Sequence, residues 1–118
     1  MNQKIKARWV AALRSGDYLQ GRRRLKVGNR YCCLGVLCDL AVQDQITVYL
    51  GKTDLGSEFF GDPVGPYRSR SSIRLPDGVA RWADILTDPW IRGHGKLSRL
   101  NDSGTTFEEI ADLIEQYL

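Results

Sequence analysis

Tyr31-Cys32-Cys33-Leu34-Gly35-Val36-Leu37-Cys38-Asp39-Leu40-Ala41 is the stretch from which the fold is read. Leu34, Leu37, Cys38 and Ala41 recur at i, i+3, i+4 and i+7, the spacing of one helical face. Val36 and Leu40 cover the other side. A helix apolar all round belongs at the centre of a core. Gly35 near its start permits close approach of another backbone or a ligand. The stretch also holds all three cysteines of the chain. No second Cys or His pair lies at zinc-ligand spacing, and the odd, crowded set does not suit a disulfide framework. Two readings remain: a buried helix start with small soft side chains, or a nucleophile at a helix N-terminus.

Outward from this helix, Arg24-Leu25-Lys26-Val27 alternates polar and apolar, the period of a half-buried strand. Gly28-Asn29 then supplies a two-residue turn, and residues 30–33 return. The spacing predicts a hairpin over 22–33, with Arg22, Arg24 and Lys26 on one face. Ile5, Trp9, Ala12 and Leu13 predict a helix over 3–15, closed by Gly16 in the left-handed region. Ile46, Val48 and Leu50 alternate with Thr47 and Tyr49, a strand. Pro76 suits a first helical position, and Val79, Trp82, Ala83 and Leu86 predict a helix over 76–86. Trp9 and Trp82 are expected in the core. Trp90 and Ile91 read as a short extended piece, and Leu97 and Leu100 as a brief helix. Thr106-Phe107-Glu108-Glu109 has capping-box spacing. Phe107, Ile110, Ala111, Ile114 and Leu118 follow on the inner face of a last helix.

Residues 51–74 hold Gly51, Gly56, Gly61, Gly65, Pro63 and Pro66 without a sustained period. Phe59, Phe60 and Tyr67 argue against disorder. The expectation is an irregular lid or rim loop with Arg68, Arg70 and Arg74 at its far end. At 118 residues the chain is one domain, 1–118. The expected fold is α+β: a small antiparallel sheet packed by about five helices. No signal peptide or membrane-length apolar run is present, which points to a cytoplasmic protein with reduced thiols and no membrane partner.

The formal charge of +3 hides an asymmetry. Residues 1–31 carry nine bases (Lys4, Lys6, Arg8, Arg14, Arg22, Arg23, Arg24, Lys26, Arg30) against Asp17, a balance of +8. Residues 102–118 carry Asp102, Glu108, Glu109, Asp112 and Glu115 without a base. Either the two ends face each other, or the basic end is a phosphate site. Arg22, Arg23, Arg24 and Lys26 are the best ligand candidates, because guanidinium groups bind phosphate through paired hydrogen bonds. Tyr31 and Trp90 offer aromatic faces for a base, and Asn101 and Asp102 offer acceptors for sugar hydroxyls. The acidic face of the last helix argues against DNA binding. No metal or cofactor is expected. The alternative chemistry is a cysteine hydrolase, with Cys33 as nucleophile, His94 as base and Asp39, Asn101 or Asp102 as orienter.

Two segments, Tyr31-Cys32-Cys33-Leu34-Gly35-Val36-Leu37-Cys38-Asp39-Leu40 and Leu100-Asn101-Asp102-Ser103-Gly104-Thr105-Thr106-Phe107-Glu108-Glu109-Ile110-Ala111-Asp112-Leu113-Ile114-Glu115, resemble a group of small accessory proteins of tailed phages and prophages. Trp9-Val10-Ala11-Ala12-Leu13-Arg14-Ser15-Gly16 and Leu75-Pro76 fit as well. The resemblance covers most of the chain outside 44–74. It implies a context, the infected host cytoplasm, rather than an activity. Such proteins often counter bacterial immunity, some by sequestering nucleotide signals of systems such as Thoeris or CBASS. The expected function is therefore non-catalytic sequestration of a phosphorylated, nucleotide-like small molecule by an anti-defence protein. Direct binding of a host protein is the alternative partner. The exposed-looking aromatics of 51–74 further suggest a homodimer or higher oligomer with the ligand near the subunit boundary.

Overall fold

Helix α2 (Cys33–Gln43) is the axis of the molecule. In the computed structural model, which describes residues 1–64 and 69–118, every side chain from Cys33 to Cys38 is buried, as are Leu40 and Ala41. The Cys32 sulfur caps the helix, accepting from the Gly35 N–H at 3.4 Å. The glycine is obligatory for packing. A Cβ there would stand 1.8 Å from the Leu25 carbonyl oxygen. The close approach expected at Gly35 is thus made by another backbone segment.

Helix α1 (Gln3–Arg14) starts on Asn2, whose side chain accepts from the Lys4 and Ile5 N–H groups. Gly16 has φ +78°, the left-handed closure its position implied. Ile5, Trp9, Val10 and Leu13 are buried. The Trp9 indole N–H donates to the Cys33 carbonyl at 2.9 Å, inside the core, so the ring packs without leaving its one donor unpaired. Helix α5 (Phe107–Tyr117) has the Thr106 and Glu109 capping box and lies along α1. Arg14 there donates to Asp112 and Glu115. Part of the charge asymmetry is therefore the two ends facing each other. These pairs are exposed and contribute little to stability.

Strands β1 (Leu19–Gln20), β2 (Lys26–Val27) and β3 (Arg30–Tyr31) form one sheet in the order β1-β3-β2. The hairpin of β2 and β3 is antiparallel, and β1 adds to it in parallel. The paired hairpin is shorter than the expected 22–33. Arg23 has φ +69°, and residues 21–25 form a loop instead of a strand.

The second sheet, β4 (Val48–Lys52), β5 (Glu58–Gly61) and β6 (Arg70–Ser71), is antiparallel. It lies across the stretch expected to be irregular. A register shift between Tyr49 and Gly51, with Gly51 at φ +122°, breaks the alternation that marks a strand in sequence. Phe60 is buried and Phe59 half-buried beneath the Arg70 guanidinium, 6.0 Å from its ring centre. Two of the three aromatics that suggested a dimer are thus covered within the chain. Tyr67 and Arg68 lie outside the described residues.

Helix α3 is Asp77–Ala83, with Pro76 as its cap rather than its first residue. Asp84 turns left-handed at φ +54°, so the helix ends before Leu86, which is 69% exposed rather than buried. Trp82 is half-buried at the core's edge. Strands β7 (Trp90–Ile91) and β8 (Gly95–Lys96) make a small hairpin ahead of α4 (Leu97–Asp102). Among the described residues the fold is α+β, with five helices and small, mainly antiparallel sheets. Among the described residues, no helix is long and apolar enough to cross a membrane.

Candidate functional site

The arginine loop, residues 21–25, is fastened along its backbone. The Gly21 N–H donates to the Tyr31 carbonyl at 2.7 Å, and the Leu25 N–H to the Ser72 carbonyl at 2.8 Å. The Leu25 carbonyl accepts from the Cys32 N–H at 3.1 Å. The Gly21 carbonyl accepts from the Asn101 amide at 2.8 Å, and the Arg23 N–H donates to the Asp102 carboxylate at 2.7 Å. Leu25 is fully buried between these anchors. A non-glycine residue at positive φ costs free energy that the surroundings must hold in place. Here five hydrogen bonds do so.

The side chains are treated differently. Arg22, Arg23, Arg24 and Arg30 are exposed. Among the described residues, none of the four forms an ion pair, whereas Arg8 pairs with Asp44 and Arg14 with Asp112 and Glu115. Asp102, the acid touching the loop, spends its Oδ1 on the Arg23 backbone and on Asn101. Arg24 donates to the Arg23 carbonyl and Arg30 to the Gln20 carbonyl. These neutral contacts orient the guanidinium groups without cancelling their charge. Gly21, Arg22, Arg24, Val27 and Arg30 line a cleft of about 270 Å³.

Strand register separates the expected ligand residues. Val27 lies opposite Arg30, and Lys26 opposite Tyr31. Partners across a ladder share a face and neighbours along a strand do not. Arg30 and Val27 therefore join the cleft, while Lys26 and Tyr31 face the other way. There the Lys26 ammonium sits 5.2 Å from the Tyr31 ring centre and 3.3 Å from the buried Glu58 carboxylate. Burial works against this ammonium, but Tyr31 and Glu58 outweigh it and its pKa is raised. Tyr31 also packs edge-on against Tyr18, whose hydroxyl donates to Asp39. Trp90 is 61% exposed on the separate β7 and β8 hairpin. Of the eight expected ligand residues, the cleft takes in Arg22 and Arg24 and adds Arg30.

Asn101 has a structural role that its sequence context hid. It is fully buried. Its Oδ1 accepts from the Cys33 N–H at 3.1 Å and from the Gln20 amide at 3.0 Å. Its Nδ2 donates to Gly21 and Asp102. With these bonds made it has no acceptor left for a sugar hydroxyl. Gln20, not foreseen, joins the same lock through Thr105 and Phe107. No single-residue pattern marks such a pair.

The nucleophile reading meets the wrong surroundings. Cys33 is fully buried, its Sγ 3.8 Å from the Leu97 carbonyl. Burial pushes the Cys33 and Cys38 thiols well up, and Cys32 up to about 11. A reactive thiol needs exposure and a lowered pKa. His94 lies exposed beside Tyr117 on the hairpin turn. Among the described residues, no group of three His, Cys, Asp or Glu could hold a metal ion.

Larger hollows exist, of about 610 Å³ beside Arg81 and about 590 Å³ between α1 and α5. Their walls mix signs: Asp77 and Asp84 line the first, and Glu115 lies beside Arg14 in the second. Charge singles out the arginine cleft. A family described as Domain of unknown function (DUF8296) matches residues 1–118, the whole chain. The chain belongs to this family. No curated protein and no solved structure matches it. The description of DUF8296 names no activity.

Proposed function

We propose that this chain binds a phosphorylated small molecule of nucleotide type in the Arg22, Arg24 and Arg30 cleft and holds it without turnover. In the phage context that its sequence resembles, it acts as an anti-defence protein sequestering a nucleotide signal in the host cytoplasm. The observation that carries this reading is a hydrogen-bonded loop and its neighbouring strand presenting three guanidinium groups that have no carboxylate partner among the described residues. Preorganised cations bind phosphate with little ordering cost. The base rests on the exposed Val27 surface and against guanidinium planes, since arginine stacks on aromatic rings as well as it pairs with phosphate. Nothing in this scheme needs Cys33 or His94.

The test begins with the purified protein. It is heat-denatured and the released small molecules are weighed by mass spectrometry. Whatever phosphorylated compound appears is then titrated calorimetrically into wild type and the Arg22→Ala, Arg24→Ala and Arg30→Ala variants. Each variant is expected to lose about 1.5–3 kcal/mol of binding free energy. Unchanged affinity in all three removes this site. A changed product during titration would instead establish an enzyme, and a stable complex with a host protein and no ligand would establish the alternative partner.

A further inference from the structure

We infer that the ligand carries two phosphate groups joined through a sugar, one held by the arginine cleft and the second by Arg70 and Arg74. This rests on the proposed reading of the cleft and names its ligand class. The bond from the Leu25 N–H to the Ser72 carbonyl at 2.8 Å puts the arginine loop directly against a second basic segment. Arg24 precedes the donor by one residue, and Arg70 and Arg74 flank the acceptor by two on either side. The second segment is also fixed. The Ser71 hydroxyl accepts from the Ile73 and Arg74 N–H groups at 3.1 and 3.0 Å. Arg70 and Arg74 are exposed, and among the described residues neither forms an ion pair.

Arg70 and Arg74 line a cavity of about 340 Å³ that shares no residue with the first cleft of about 270 Å³. Asp77 lines it too, and one carboxylate against two guanidinium groups still leaves a positive site. Each cavity alone is at or near the lower limit for a ligand pocket, roughly 300–1,000 Å³. The two sets of residues line separate hollows on segments joined by the Leu25 to Ser72 hydrogen bond. A ligand with two phosphates separated by a nucleoside would engage both, and it would gain from linkage because the second contact is made at high effective concentration.

The probes are AMP, with one phosphate, and the 5′-phosphorylated diadenylate pApA, with two, titrated into the full chain at low and at moderate salt. Variants are Arg24→Ala and Arg74→Ala; both side chains are exposed, and circular dichroism checks the fold. pApA is expected to bind at least about tenfold more tightly than AMP and to show the steeper salt dependence. Arg74→Ala should weaken pApA by about tenfold or more and leave AMP unchanged. Arg24→Ala should weaken both. Equal affinities for the two probes, or pApA binding indifferent to Arg74, overturns the two-phosphate inference while AMP binding that depends on Arg24 leaves the cleft standing. If neither probe binds, both readings fall. A twelve-residue oligoadenylate binding more than about a hundredfold above pApA overturns the small-ligand class in favour of a single-stranded nucleic acid surface.

Discussion

Replacing Gly35 by Ala sets two effects of opposite sign against each other. On helix propensity alone the change stabilises an interior helical position by about 0.8–1 kcal/mol. The packing at α2 says otherwise. The new Cβ would stand 1.8 Å from the Leu25 carbonyl oxygen and 2.7 Å from its carbon. Both are backbone atoms with no rotamer to change. Leu25 must move outward by more than 1 Å to restore contact distance, roughly 3.5 Å between carbon atoms. That shift breaks the hydrogen bond from Cys32 and strains the one to Ser72. Overpacking costs about 1–3 kcal/mol and each lost bond about 1. Net of propensity, Gly35→Ala should destabilise by about 2–3 kcal/mol. For a chain of 118 residues that lowers Tm by about 8–12 °C. Calorimetric melting measures it, and a Tm equal to or above wild type would refute the claim that the Leu25 carbonyl sits against α2. The arginine loop hangs on the same carbonyl, so the variant should also bind pApA less tightly at a temperature where it is still folded.

Three further outcomes follow from particular contacts. Asn101→Ala leaves the Cys33 N–H and the Gly21 carbonyl without this partner inside the fold and should cost about 2–4 kcal/mol in urea unfolding; a loss under 0.5 kcal/mol contradicts the lock. The cysteine thiols are neutral in the fold, with Cys32 pushed up to about 11 from an ordinary 9.0 and Cys33 and Cys38 displaced in the same direction. The unfolded chain therefore releases these protons first, and stability should be complete below pH 9 and fall as pH rises toward 11; a stability flat across that range in a urea series refutes the burial. His94→Ala should leave both Tm and ligand affinity within error, since the ring is exposed; loss of binding would place the site on the β7 and β8 hairpin instead.

The helices were legible because each announces itself locally. The Ile5, Trp9, Ala12 and Leu13 spacing and Gly16 mark α1, Thr106 and Glu109 open α5, and the two apolar sides of α2 mark it as core. Legibility ends where structure depends on partners distant in sequence. β1 is two residues long and is defined by β3. The alternation over 46–50 marks the start of β4, but the bulge at Gly51 interrupts it, and β5 and β6 are defined only by their pairing. Asp84 ends α3 early through a left-handed turn that composition does not encode. The site divides in the same way. The arginine run is visible as charge, but which arginines share a cleft depends on Arg23 leaving the strand and on the register that turns Lys26 and Tyr31 to the opposite face. Asn101 looked like a ligand acceptor because a buried amide bonding three other segments has the same sequence signature as an exposed one.

If a phosphorylated ligand docks in the arginine cleft, amide chemical shifts of the ¹⁵N-labelled protein during titration with pApA will report it residue by residue. Saturable shifts are expected at residues 22–24, 27–30 and 70–74, with α1, α5 and the hairpin bearing Trp90 and His94 unmoved. Shifts centred on that hairpin or on the groove between α1 and α5, with residues 22–30 unmoved at saturation, would contradict docking in the cleft.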